Sequence, residues 1–247
     1  MRAYREMTRA LALSALREPV SLFFTVFLAP LMVLILGVIF GNDPRPEFGG
    51  QGFIGMQMPA LTCVVVAMMG VLTVPLDVVG LREQGVLRRL RATPLRPGVI
   101  IAADLTRHFA MGVVGMGLAL AVGAAAFGVG AGAHVASVAL VLVLGLLAFT
   151  ALGYLLAAIM PSMGVVTPVG NILIIVLLMS SGATVPLAVL PAGVRAAADW
   201  SPLTQLVTAL TGVWSGDGLA AHGAALAVMV AMTAVCGGLA VRFLRWE

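Results

Sequence analysis

LREQGVLRRLRATPLRP, running from Leu81 to Pro97, is the most charged stretch of an otherwise oily chain. Six of its seventeen residues are Arg or Glu: Arg82, Glu83, Arg88, Arg89, Arg91 and Arg96. Such a segment does not lie in hydrocarbon, where each central Arg or Asp costs about 2.5–3.5 kcal/mol even on the lenient insertion scale. The long uncharged runs on either side do belong there. The stretch therefore stands in water beside a membrane.

Composition agrees. Of 247 residues, 61% are hydrophobic and only 10% charged, with a mean hydropathy of +1.12. Soluble domains carry about 25% charged residues, so the chain falls in the membrane class, with a length that suits one integral domain. A net charge of +4 invites nucleic acid, but the arginines cluster beside apolar spans, where the positive-inside rule accounts for them. Cys63 and Cys236 are too few for a disulfide or metal framework. His108, His134 and His222 lack ligand spacing, so no metal site is expected.

Upstream of the charged stretch, residues 1–20 read as an interfacial amphipathic helix stopped by Pro19. Arg2, Arg5 and Arg9 share one stripe, and Tyr4, Met7 and Leu11 a neighbouring one. This leader holds four Arg and two Glu with no long apolar core, unlike a cleavable signal peptide. Residues 21–40 form a first span, a turn-rich polar loop follows, and residues 53–79 form a second span with Asp77 near its far end. Asp77 reads as capping that end or pairing with Arg82.

Downstream, no formal charge separates Arg107 from Arg195. Gly and Pro punctuation divides that interval into spans at 109–130, 135–159 and 166–185. Residues 186–221 are mixed. Within them Leu203 to Trp214 is too short to cross and reads as re-entrant or interfacial, anchored by Trp200 and Trp214. A last span covers 223–241. Six spans put both termini on one side. Twelve of the fourteen arginines lie on that side and only Arg45 and Arg195 opposite, which makes the termini and the 81–107 loop cytoplasmic.

Within the loop, Glu83, Leu87 and Leu90 fall at i, i+4, i+7 and share a face, and Thr93-Pro94 closes the helix. A short helix presenting leucines and charges to water is a docking surface. From Glu83 to Leu95 this block resembles the cytoplasmic signature of type-2 permeases of ATP-binding cassette (ABC) transporters, most closely the daunorubicin-resistance type of drug exporter. A second block is similar to the same family: Ser181-Gly182, Pro186, Leu190-Pro191 and Pro202-Leu203-Thr204.

The resemblance implies an all-α integral membrane protein with six transmembrane helices and an N-terminal connecting helix that includes Arg5, Arg9 and Leu11. It implies a coupling helix with Glu83, Gly85, Leu87, Leu90, Thr93, Pro94 and Leu95 meeting an ATPase, and external re-entrant helices around Pro186, Pro191 and Pro202. Val86 stands where the family often has Thr, and Arg88 where it often has an acid. Implied partners are a cytoplasmic ABC ATPase subunit, a second permease copy or homologue, the bilayer and a small-molecule substrate.

The chain has no Lys, so a phosphate-cradling GxxxxGK[ST] loop is absent. ATP and its Mg are expected on the partner, and this chain is expected to bind no cofactor and catalyse no reaction. Three other classes compete. An ion-coupled secondary transporter needs ionisable residues in its spans, and Asp77 is the one the spans contain. An intramembrane enzyme would draw on Ser180, Ser181 and His222, without a Gly-x-Ser-Gly turn. A membrane anchor is the third. Asn171, Met179 and Gln57 are candidate pathway residues, and the methionine-rich spans suit a hydrophobic or amphiphilic cargo such as a drug, antibiotic or lipid-like molecule.

Overall fold

The structure, a computed structural model, describes residues 2–16, 22–44, 52–86, 97–130, 134–182 and 198–243, and every regular element among them is helical. Helix α1 is Arg2–Leu16. A π-helical turn, Phe23–Phe27, leads into α2, Leu28–Phe40. Helix α3 is Phe53–Glu83, with a π-helical turn at Met69–Thr73 in its middle. There follow α4 (Pro97–Phe127), α5 (Val135–Ile159), α6 (Met163–Ser180), α7 (Pro202–Ser215) and α8 (Gly223–Phe243).

Five of these helices are long and apolar enough to cross a membrane: α3, α4, α5, α6 and the one ending in α8. Helix α2 is apolar but shorter. The chain is thus an all-α membrane protein with about six spans. The starting points of two helices differ from the sequence reading. α4 begins at Pro97, where proline suits a first helical turn, so Asp104 and Arg107 lie on a helix and not in a loop, and His108 lies on it with them. α6 begins at Met163.

Helix α5 occupies the middle, packed against α8, α3 and α7. Its glycines explain the closeness. A Cβ on Gly70, in the π-turn of α3, would strike the Phe149 carbonyl, and one on Gly153 would strike the Gly70 carbonyl. The two backbones touch there, as small residues allow between membrane helices. The two π-turns also meet, with Thr25 Oγ1 3.3 Å from Thr73 Oγ1 and both side chains buried.

The bundle has two unlike ends. At one, the basic end, α1 lies along α4, Tyr4 Oη sits 2.6 Å from Thr106 Oγ1, and Arg82 and Arg107 stand nearby. At the opposite end Asn42 joins two helices, its Nδ2 donating to the Phe127 carbonyl at 2.7 Å and its Oδ1 accepting from Gly55 N at 3.1 Å.

Helix α7 measures about 21 Å at 1.5 Å per residue, short of a roughly 30 Å hydrocarbon layer. It buries Leu203, Leu206, Leu210 and Val213 against α3, α5 and α8. Trp200 is 89% exposed, as an interfacial anchor requires. Trp214 is only 8% exposed and belongs to the core, which corrects its reading as a second anchor. Leu203, Leu206, Leu210 and Val213 stand at i, i+3, i+7 and i+10 of α7 and face inward, and residue 214, at i+11, falls beside that stripe.

Candidate functional site

Asp104, Arg107 and His108 stand at i, i+3 and i+4 of α4 and so share one helical face. That face turns toward α3 and α5. Arg107 donates from Nε and Nη2 to Asp104 Oδ1, at 3.1 and 2.9 Å, and from Nη2 to Asp77 Oδ2 of α3 at 2.8 Å. Tyr154 of α5 donates its hydroxyl to Asp104 Oδ2 at 2.7 Å. Arg107 is 7% exposed, Asp77 14% and His108 fully buried. Two carboxylates, one guanidinium, one imidazole and one phenol therefore join three spans at the basic end.

The imidazole is held between opposite demands. His108 Nδ1 lies 3.1 Å from the Asp104 carbonyl oxygen, an acceptor, so Nδ1 carries a proton. Nε2 then stands 3.1 Å from Asp77 Oδ2 and 2.9 Å from Arg107 Nη2. A bare Nε2 accepts from Arg107 Nη2 only in place of one carboxylate, whereas a protonated Nε2 donates to Asp77 and leaves both Nη2 bonds standing. One proton at this atom decides which neighbour His108 binds.

The last two residues of α3 reach further. Arg82 donates to the carbonyls of Ala157, at 3.3 Å, and Met160, where α5 ends. Glu83 Oε1 accepts from Met163 N, at 2.9 Å, where α6 begins. A cation thus faces the carbonyl end of one helix and an anion the amide end of the next, the arrangement that helix dipoles favour. Asp77 consequently does not pair with Arg82. Five residues apart on a helix, the two point about 140° from each other, and each finds a partner on a different span.

Gly85 has φ +68° and ends α3 with a left-handed residue, as glycine does just beyond a C-terminus. The turn at Gln84–Gly85 separates Glu83 from whatever follows, so Glu83 does not continue one helix with Leu87 and Leu90. Leu87, Leu90, Thr93, Pro94 and Leu95 lie outside the described residues, as do Pro186 and Pro191. Pro202 opens α7. Arg5 and Arg9 are exposed, and Leu11 is half-buried toward the bundle. Asn171 and Met179 face outward from α6, while Gln57 is half-buried in α3. No group of three or more metal-ligating side chains occurs among the described residues.

Sequence reasoning missed Asp104, Arg107, His108 and Tyr154. The signal was present: DLTRH places an acid, a guanidinium and an imidazole on one face immediately before an uncharged run. It was hidden because the loop reading ran through Asp104 and Arg107 to residue 107 and the next span began at 109, which left His108 between them.

The model of the ABC-2 type transporter family matches residues 2–214. The chain belongs to that family. The match covers α1 through α7 and with them every member of the polar cluster. This ABC-2 type transporter is accordingly a membrane subunit of a transport system, and α8 lies beyond the matched region. A search of curated proteins found no match.

Proposed function

We propose that this chain is the permease of an ATP-driven exporter, moved by a separate ATPase that seats on the 81–96 segment. The observation that carries this reading is the way the helix leading into that segment is fastened. Within seven residues α3 is tied to α4 through Asp77, to α5 through Arg82 and to α6 through Glu83. The helix leaving the segment, α4, is tied to α5 through Asp104 and Tyr154. Force applied to the segment is thereby shared by four spans, which then move as a body.

In this reading the basic end faces the cytoplasm, together with both termini. Leu87, Leu90, Thr93, Pro94 and Leu95 meet the ATPase, while Glu83 works on the near side by holding α6. ATP and Mg stay with the partner, and the chain performs no chemistry itself. A second permease copy completes the pathway, consistent with the outward-facing apolar stripe of Val169, Ile172, Val176 and Met179 on α6. The cargo is a hydrophobic or amphiphilic molecule.

The experiment reconstitutes the permease with its ATPase in inverted vesicles. Leu87→Asp combined with Leu90→Asp should abolish ATP-dependent uptake while leaving membrane insertion intact. Unchanged uptake by the double variant overturns the coupling role. The polar cluster also favours a second reading, an ion-coupled carrier, because Asp77, Asp104 and His108 lie on spanning helices. Transport that survives an uncoupler but stops on ATP depletion excludes it.

A further inference from the structure

A cavity of about 390 Å³ opens between α1 and the basic ends of α3, α4 and α6. Most of its wall is apolar, with Met7 and Leu11 from α1, Leu76 and Leu81 from α3, and Met163 from α6. Asp77 and Arg107 also line it, so the polar cluster has one face on this space. The volume lies in the range of roughly 300–1,000 Å³ common to small-molecule sites, and an apolar wall with few polar groups is their usual character.

We propose that this cavity binds an organic cation, an ammonium group on an apolar body, with Asp77 as its counter-ion. The carboxylate has the capacity. Both Arg107 and His108 meet Asp77 at Oδ2, and among the described residues no hydrogen bond reaches Oδ1. Because both neighbours meet Oδ2, a cation at Oδ1 adds to the hydrogen bonds already made and displaces none of them. Among the described residues the charges lining the space are Asp77 and Arg107, and Arg107 is the less exposed and already donates three hydrogen bonds to carboxylates, which makes an anion the weaker match. Arg5 and Arg9 do not line the space. Ser14 and Gln84 add neutral hydrogen-bonding groups at its wall.

Binding itself requires no ATPase. Identifying the cavity as the place where cargo is taken up rests on the permease reading, and it names that cargo as a cationic amphiphile.

The test uses the full chain alone, in nanodiscs of zwitterionic lipid, with three probes that share a dansyl fluorophore and differ in charge. Dansylcadaverine is cationic, dansylamide neutral and dansylglycine anionic. Dansylcadaverine should bind saturably, about tenfold more tightly than the other two, the value of one hydrogen bond to a charged partner. Asp77→Asn should remove that preference. Ala10→Phe, on the facing wall and outside the cluster, should fill the cavity and abolish saturable binding. Equal affinity for all three probes, preference for dansylglycine, or binding unaffected by Ala10→Phe each overturns the proposal. The probe series and Ala10→Phe keep the test decisive should Asp77→Asn fail to fold. Saturable cation binding with no ATP-driven transport of dansylcadaverine would sink the uptake role and leave the site standing. Transport without the binding preference would sink the site and leave the permease reading standing.

Discussion

Arg107 holds together two carboxylates from neighbouring helices, Asp104 buried and Asp77 partly open at the cavity wall. Arg107→Leu leaves Asp77 and Asp104 without their common cation. Breaking a buried pair by removing one partner costs about 3–5 kcal/mol, so the variant is expected to unfold well below the parent in a thermal melt in detergent. Arg107→Lys keeps the charge but loses the fork that reaches Asp104 and Asp77 together. It should fall between the two. Tyr154→Phe removes the single hydroxyl that donates to Asp104 Oδ2, a loss of about 1.5–3 kcal/mol for a bond to a charged acceptor. Combining it with Asp104→Asn should cost less than the sum of the two single changes, because both delete one interaction. A strictly additive result in the same melt would show that the phenol and the carboxylate act independently. At this scale the sequence was only half legible. Asp77 stood out as an acid in an apolar span, but its partner lies 30 residues away on another helix, a separation that local spacing does not encode.

Helix boundaries decided what the sequence hid. Gly85 marks the end of α3 as a glycine just past a C-terminus, and Pro97 marks the start of α4 as a proline in its first turn. Reading both signals would have placed Asp104, Arg107 and His108 on a helix. The spans themselves were plain from hydropathy, because their apolar runs are long and bounded by turns. The contact between α3 and α5 was not, since glycines in a membrane helix are common and only packing tells which of them touch. Gly70→Val tests that contact. A side chain at position 70 meets the backbone of Phe149, which cannot rotate away as a side chain would. Overpacking of this kind costs about 1–3 kcal/mol. Gly117→Val provides the control, for no heavy atom stands within 4 Å of its Cβ position. Gly70→Val should lower the melting temperature, and Gly117→Val should change it little. Equal effects would mean that α3 and α5 are free to separate at the π-turn.

Across the described residues the two ends differ in charge, and in the proposed orientation this asymmetry sets how the bundle lies in a membrane. Arginines near the ends of spans hold those ends on the cytoplasmic side, so in the proposed orientation α1 and the Asp77–Arg107 cluster face inward and the Asp217–His222 turn faces out. Single cysteines at Arg9 and at Asp217, each exposed, report the two sides in a background with Cys63 and Cys236 replaced. A membrane-impermeant maleimide should label Asp217→Cys in intact cells, and Arg9→Cys only after the membrane is opened. The reverse pattern would put the basic end outside. A cytoplasmic ATPase then reaches neither the 81–96 segment nor the fastened end of α3, and the helices tied together there have nothing to pull on them. The polar cluster would remain as a structural lock, but its place where α3 ends and α4 begins would lose its mechanical reason.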